Sequence, residues 1–139
     1  MKELSEFAKG FLTGVIDGES CLYVGDRELG KRGLKLELQI GSITREFLER
    51  FQELLGHGGL FKNTYETRRS GKPFYTFRLT DREILKSLFS QLLPYLTVKR
   101  EKAQLMLNYI EQREQFEARK ILEFDEMNSL FKTTFRVKK

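Results

Sequence analysis

The sequence has little of what builds disulfides, thiolate metal clusters or membrane spans. Its 139 residues include one cysteine, Cys21, and one histidine, His57. One cysteine excludes a disulfide and a thiolate metal cluster within a single chain, and it fits a reducing compartment. No stretch approaches the roughly 18 apolar residues of a membrane-spanning helix. We therefore expect no membrane association.

The first residues also lack the features of a secretory signal. Glu3 and Glu6 stand close to the apolar residues there, where a signal peptide has an uninterrupted apolar run. We expect a soluble intracellular protein, in a bacterial or archaeal cytoplasm or in an organelle such as a chloroplast or a mitochondrion. With no low-complexity segment and no internal repeat, the length predicts one domain over residues 1–139.

Basic residues are in mild excess over acidic ones. The 25 Lys and Arg against 20 Asp and Glu give a formal charge of +5 at pH 7 and a pI near 9.3. This balance favours an acidic partner such as nucleic acid. A chain of this length buries one core but is short for an enzyme that encloses its substrate alone. Either the substrate is large or the chain has a partner.

Apolar spacing and turn residues predict alternating helices and strands in the first part of the chain. Ser5 can cap a first helix that stops at Asp17-Gly18, and a strand follows from Cys21 to Asp26. After a glycine-rich turn, the stretch "LKLELQI" alternates strictly. Its apolar side chains at 34, 36, 38 and 40 therefore form a core face, and Lys35, Glu37 and Gln39 form a wet face.

Further helices and a hairpin are predicted after this strand. The predicted elements are a helix capped by Thr44 and ending at Gly56, a hairpin of Gly59–Tyr65 and Phe74–Leu79 around "ETRRSGK", a helix with a Thr80–Glu83 capping box that ends before Pro94, a helix from near Thr97, and a short helix near Ile121–Phe131. This order predicts an α+β fold, an antiparallel sheet with helices on one face. We expect a core over about 5–111 and a C-terminal helical extension with a basic tail over 112–139, which packs on the helical face and extends the basic surface.

Asp17 and Glu19 bring two carboxylates close together around Gly18. They can be ordinary helix-end residues, oxygen ligands for a hard divalent cation, or an acid–base pair for glycosides, which adjacent turn residues supply poorly. The metal interpretation gains because the acids lead directly into a sheet whose open face is polar and partly basic. Gly10 and Gly14 extend a face without side chains along the same helix. Each glycine costs about 1 kcal/mol of helix stability relative to alanine, and a close approach by another backbone would offset this cost.

The stretch "LTGVIDGES", Leu12 to Ser20, resembles the nonapeptide motif of the LAGLIDADG homing endonucleases, DNA-cutting enzymes encoded by mobile introns and inteins. The element order, the Gly-His-Gly turn at 56–58 and a Pro-x-Leu-x-x-Lys stretch at 94–99 extend the resemblance from about Phe7 to Ile110. Glu19 stands where aspartate is commoner in the family, and Ser20 replaces the usual final glycine. The resemblance implies an αββαββα fold with a DNA-binding antiparallel sheet.

It also implies a homodimer, because the chain carries one motif and the family's motif helices pack together along a two-fold axis. The interface would consist of the small residues and the acid of this helix: Gly10, Thr13, Gly14, Asp17 and Gly18. Two copies of Glu19 would then hold Mg²⁺, or Mn²⁺ or Ca²⁺ in its place, with the carbonyl of Gly18 as a further ligand. Asp17 would cap or brace the helix end.

Further catalytic candidates follow from the resemblance. Lys99 matches the family's basic residue near the site, and Ser42 and Arg45 lie in the stretch where the family orders water with polar residues. The implied reaction is metal-dependent hydrolysis that makes a double-strand break in a long, roughly palindromic DNA target and so promotes intron mobility. His57 is interpreted as structural.

Strand alternation selects the side chains that would meet DNA. Candidates for base contacts in the major groove are Tyr23, Arg27, Lys35, Glu37, Gln39, Thr76 and Arg78. Arginine suits guanine, glutamine suits adenine, and glutamate accepts from cytosine. Phosphate contacts are expected from the hairpin loop, through Arg68, Arg69 and Lys72. For the third strand, either Phe61, Asn63 and Tyr65 or Leu60, Lys62 and Thr64 face the DNA.

Two other functions remain open. Some relatives are RNA-binding intron maturases, and a regulator that keeps the fold without cleavage would bind DNA only. The presence of Glu19 favours the nuclease over the maturase.

Overall fold

The computed structural model describes residues 1–26, 33–63, 73–116 and 121–137. In chain order, the elements are α1, Glu6–Glu19; β1, Ser20–Asp26; β2, Leu34–Ser42; α2, Arg45–Leu55; β3, Gly59–Asn63; β4, Phe74–Leu79; α3, Arg82–Leu92; α4, Arg100–Phe116; and α5, Ile121–Val137. The predicted α+β fold, with an antiparallel sheet and helices on its other face, is confirmed. None of the described helices is both long and apolar enough to cross a membrane.

The four strands lie in the order β1-β2-β4-β3, and every neighbouring pair is antiparallel. In this register Leu38 pairs with Leu22 and Leu79, and Phe77 pairs with Leu60. Because side chains alternate along a strand, the register gives the whole sheet one apolar face and one polar face.

The apolar face of the sheet and the helices above it form the core. Leu36, Leu38 and Ile40 of β2 are at most 1% exposed, as the alternation predicts. From the helices, Leu12 and Phe51 are fully buried, and the Phe51 ring meets Phe77 edge-on at 4.9 Å between centroids. Burial of each such side chain contributes roughly 1.5–3 kcal/mol to folding. The core therefore fixes the sheet, and the polar face lies on the side away from the core helices.

Two of the predicted helix ends are present and two are wrong. Ser5 Oγ accepts from the amide of Ala8, and Gly56 ends α2 with φ +81°. However, Asp81 caps α3 in place of Thr80. Its carboxylate accepts hydrogen bonds from the amides of Glu83 and Ile84, and its negative charge is stabilised by the positive N-terminal end of the helix dipole. The first helix also runs past Gly18 to Glu19, and the hydroxyl of Ser20 donates to the carbonyl of Ile16 at 2.6 Å.

The C-terminal extension contains a longer helix than the predicted short one. The ring of Phe131 stacks on Tyr109 of α4 at 4.6 Å between centroids. The Tyr109 hydroxyl donates to Asn128 Oδ1 at 2.6 Å and accepts from the Leu34 amide at 2.8 Å. Lys132 Nζ donates to Asp26 at 2.8 Å. Helix α5 is thus tied to α4 and to the ends of β1 and β2.

Candidate nucleic-acid interface and metal site

The carboxylate of Glu19 lies exposed where α1 passes into β1. Its side chain forms no hydrogen bond or ion pair with any residue that the structure describes. Gly18 beside it is exposed as well, and its carbonyl belongs to the last helical turn, where carbonyls have no partner within the helix. A carboxylate and a backbone carbonyl are the hard oxygen ligands that Mg²⁺ and Ca²⁺ prefer.

A single chain supplies too few of these ligands to enclose a cation. Within the described ranges, no three His, Cys, Asp or Glu side chains come together in a way that could hold a metal ion. Asp17 is not available as a second ligand, because its two oxygens are already bonded. The oxygen atoms of Glu19 and Gly18 fit a divalent cation, whose remaining ligands would have to come from outside the described part of one chain.

The carboxylate of Asp17 braces the segment just before α4. Its Oδ2 accepts from the amide and the hydroxyl of Thr97, both at 2.9 Å, and Oδ1 accepts from the amide of Lys99 at 3.0 Å. Burial opposes its ionisation, but the hydrogen bonds from Lys99 and Thr97 outweigh burial and hold the pKa of Asp17 below its ordinary value of 3.8. Asp17 therefore joins the segment that carries Lys99 to the end of α1.

The other catalytic candidates have different surroundings. Lys99 is half-buried, and its backbone lies beside Asp17, at the same helix end as Glu19. Ser42 Oγ accepts from the Thr44 amide at 3.0 Å and so serves the turn into α2. Arg45 is exposed on α2 and bonds Glu49 at 2.7 Å. Neither Ser42 nor Arg45 forms a hydrogen bond or ion pair with α1 in the described part of the chain.

A stripe of exposed glycines runs along α1. A Cβ added at Gly10, Gly14 or Gly18 would meet no atom within 4 Å. None of the described residues therefore uses the close approach that these glycines allow. Phe7 continues the stripe and is 62% exposed. Thr13, in contrast, is buried, and its hydroxyl has no hydrogen-bond partner among the described residues.

The polar face of the sheet carries one continuous row across all four strands. Gln39 in β2 pairs with Cys21 and Arg78, and Arg78 pairs with Gly59. A second row joins Gly41, Thr76 and Phe61. Phe61 and Asn63 thus share the polar face, as in the first of the two sets considered for the third strand, while Thr64 and Tyr65 lie outside the described residues. Leu60 lies opposite Phe77 on the core side.

Exposure differs strongly among the predicted base-contacting residues. Tyr23, Lys35 and Arg78 are exposed, Gln39 is half-buried, and Thr76 is buried and near Asn63 Nδ2, at 3.2 Å. The adjacent Cys21 raises the pKa of the Tyr23 hydroxyl, with smaller contributions from burial and Glu37. Tyr23 therefore stays protonated and can donate. Arg27, Arg68, Arg69 and Lys72 lie outside the described residues.

Glu37 is the residue whose surroundings the sequence did not indicate. Its side chain is only 8% exposed, although it stands on the polar face. Gln39 Nε2 donates to its Oε1 at 2.6 Å, Lys35 Nζ lies 3.4 Å from Oε2, and Arg78 Nε lies 3.6 Å from Oε1. A groove of about 430 Å³ opens beside this cluster, and His57 is among the residues that line it.

Comparisons with known proteins agree with this architecture. An archaeal intron-encoded homing endonuclease, I-Vdi141I, solved in complex with DNA, is 16% identical with a TM-score of 0.79, over 96% of this chain and 85% of that chain. The homing endonuclease I-CvuI with the I-CreI target and 2 mM Mg is 22% identical with a TM-score of 0.76, over 96% and 83% of the two chains. The structure of I-CvuI with its own target and 2 mM Ca is 22% identical with a TM-score of 0.76, over 97% of this chain and 85% of that chain.

No curated protein matches the chain. The sequence model described as the LAGLIDADG-like domain matches residues 6–92, which is more than half of the chain. The motif at the end of α1, the order of the elements and this match agree, and the chain belongs to the LAGLIDADG-like family.

Proposed function

We propose that the protein is a site-specific homing endonuclease that works as a homodimer. It would make a double-strand break in a long, roughly palindromic DNA target by divalent-metal-dependent hydrolysis and so promote the mobility of an intron. The observation that carries this proposal is the carboxylate of Glu19, which is exposed and unbonded among the described residues, beside the polar face of the sheet. The DNA-bound state of the solved structures with this fold supports it.

The glycine stripe of α1 supports the dimer. Two α1 helices that pack through Gly10, Gly14 and Gly18 would bring their backbones close together and offset the cost of these glycines. The C-terminal ends of both helices would then meet, and with them two copies of Glu19. A pair of carboxylates with a carbonyl from each Gly18 is a suitable ligand set for Mg²⁺.

Glu19, Lys99 and Asp17 have different roles in the proposed reaction. A divalent cation bound here activates water and stabilises charge on the phosphoryl oxygens. Glu19 would hold this cation through its carboxylate oxygens. Lys99 adds positive charge near the phosphate, and Asp17 holds its backbone in place through the amide hydrogen bond at 3.0 Å.

The polar face of the sheet would lie in the major groove, where a β-ribbon fits and base edges are accessible. Tyr23, Lys35 and Arg78 are the exposed side chains there that can reach base edges. Arg27, Arg68, Arg69 and Lys72 would contact phosphates or adjoining bases and add salt-dependent affinity. The symmetric dimer would read both halves of a long site.

The first experiment compares cleavage of a randomised duplex DNA library by the wild type and by Glu19→Gln, with Mg²⁺ or with EDTA. We expect specific cleavage that needs Mg²⁺ and that the variant loses by at least about a hundredfold, while DNA binding persists. Glu53→Gln is the matched control, because Glu53 is an exposed carboxylate on α2. It should cut like the wild type.

Other results would assign another function. Equal cleavage by Glu19→Gln would contradict the role of Glu19. If the wild type retained a subset of the DNA library without cutting it, the protein would be a DNA-binding regulator. If it bound no duplex DNA, binding to intron RNA would be measured next, and RNA binding would indicate a maturase.

A further inference from the structure

We propose that Glu37 does not read a base but positions Arg78, so that Arg78 reads one guanine of the target. This inference rests on the proposed function, since it assumes that the polar face of the sheet lies on DNA. It assigns to Glu37 a role in sequence specificity that its position on the strand does not reveal.

Burial and existing bonds argue against direct base reading by Glu37. The side chain is 8% exposed, and both of its oxygens already face cations or an amide donor. A base that donated a hydrogen bond to this carboxylate would have to displace Gln39 or Lys35. Arg78, in contrast, is 47% exposed at the side chain, so it reaches further from the sheet.

Arg78 is held from two sides. Glu37 Oε1 faces its Nε at 3.6 Å, and the ring of Phe61 from the neighbouring strand lies 5.6 Å from the guanidinium carbon. The ion pair attracts one edge of the guanidinium toward Glu37, and the aromatic face restricts its plane. Its two terminal nitrogens form no hydrogen bond with the described residues and remain available as donors. Guanine offers O6 and N7 in the matching bidentate geometry.

The charge of Glu37 has a second consequence. It is an acidic group within 4 Å of two cations on a face that would meet a polyanion. By offsetting part of that positive charge, it lowers attraction to phosphates of any sequence. Removal of the charge should therefore raise affinity for random DNA while it lowers discrimination at the base that Arg78 reads. A purely structural role for Glu37 would not produce these opposite changes.

The test compares the wild type with Glu37→Gln, Arg78→Lys, the double variant and the control Glu53→Gln. Each protein selects from a randomised duplex DNA library, and base preferences are measured at every position of the selected site. Glu37→Gln keeps the shape and the acceptor for Gln39, and Arg78→Lys keeps the charge without the planar fork. Both should lose preference for guanine at the same base pair by about tenfold.

Two further results are expected. The double variant should lose no more discrimination than Arg78→Lys alone, because Glu37 acts through Arg78. Glu37→Gln should also bind a random-sequence duplex roughly two- to fivefold more tightly at low salt. Glu53→Gln has the same change of charge on α2 and should leave the base preference unchanged.

Glu37→Asp provides an independent variant in case Glu37→Gln does not fold. It keeps the charge but shortens the arm to Arg78, so it should lose the guanine preference without a gain in affinity for random DNA. The inference is overturned if specificity is unchanged, or if Glu37→Gln and Arg78→Lys affect different base pairs, since Glu37 would then read its own base. If the wild type binds no duplex DNA, the proposed function fails as well.

Discussion

At the scale of single residues, Asp17 and Glu19 have the same side-chain chemistry but differ in their hydrogen bonds. Both are carboxylates of one motif, two positions apart. Asp17 accepts three hydrogen bonds from the segment before α4, whereas Glu19 has no partner among the described residues. The same side-chain type therefore holds the structure together at one position and is available for a ligand at the other.

Asp17→Asn should lower the free energy of unfolding by about 1–2 kcal/mol, because a charged cap at a helix start is replaced by a neutral one. The folded pKa of Asp17 lies below 3.8, so this stabilisation is complete above the unfolded pKa and disappears as the pH falls through the folded pKa. Urea unfolding measured from neutral pH downward should show the two proteins converging in acid. Cleavage should slow as well, because Lys99 loses an anchor.

A gap between the two proteins that stays constant into strong acid would show that the charge of Asp17 contributes nothing. Glu53→Gln serves as the comparison, since it also removes a carboxylate but no bond to a helix start.

Sequence alternation predicts on which face a strand residue lies but not how deep. The face of Glu37 was predicted correctly, because the period of two is a local property. The burial of Glu37 was not predicted, because Arg78 comes from β4 and the pairing of β2 with β4 cannot be inferred from the local sequence. The role of Glu37 therefore follows only from the assembled sheet.

At the scale of elements, local cap chemistry was predictable and long-range packing was not. Ser5 and Gly56 act as expected, because a cap hydroxyl and a left-handed glycine work within one turn. Thr80 and Asp81 are both able to cap the start of α3, and the structure has Asp81 as the cap. The length of α5 depends on Phe131 and Phe135, whose contacts with α4 and with each other extend the helix past the predicted end.

The hydroxyl of Tyr109 joins three elements and provides a test of how α5 is attached. Tyr109→Phe removes the hydroxyl and leaves the Leu34 amide and the Asn128 carbonyl without this partner in a buried place. The free energy of unfolding should fall by about 1–3 kcal/mol. Thermal or urea denaturation measures this change.

Tyr95→Phe is the matched control, because Tyr95 is 52% exposed. Its stability should stay within about 0.5 kcal/mol of the wild type. If both variants were equally stable, the hydrogen bonds of Tyr109 would contribute no net stability, and α5 would be held by its aromatic contacts alone.

At the scale of the whole molecule, the single chain leaves two surfaces unsatisfied, the glycine stripe of α1 and the polar face of the sheet. Both meet at the end of α1, where Glu19 lies. A second copy on the stripe would place two sheets side by side on one DNA duplex. In the proposed dimer, dimerisation and DNA binding would therefore be coupled through one helix.

Gly14→Leu should have opposite effects on the single chain and on the dimer. A Cβ added at this position meets no described atom within 4 Å, and leucine is a better helix former than glycine, so the monomer should gain up to about 1 kcal/mol. In a dimer, the same side chain would force two close backbones apart. Sedimentation should show a dimer for the wild type and a monomer for the variant.

The control for this prediction is Gln112→Leu, which adds the same apolar side chain at an exposed position of α4. It should leave the dimer intact. A Gly14→Leu variant that remained dimeric would show that α1 is not the interface, and the glycines would then need another explanation. If the variant is monomeric, it should also fail to cleave, because each chain keeps only one Glu19. A DNA target selected by the wild type should be two-fold symmetric, because the dimer that binds it is two-fold symmetric.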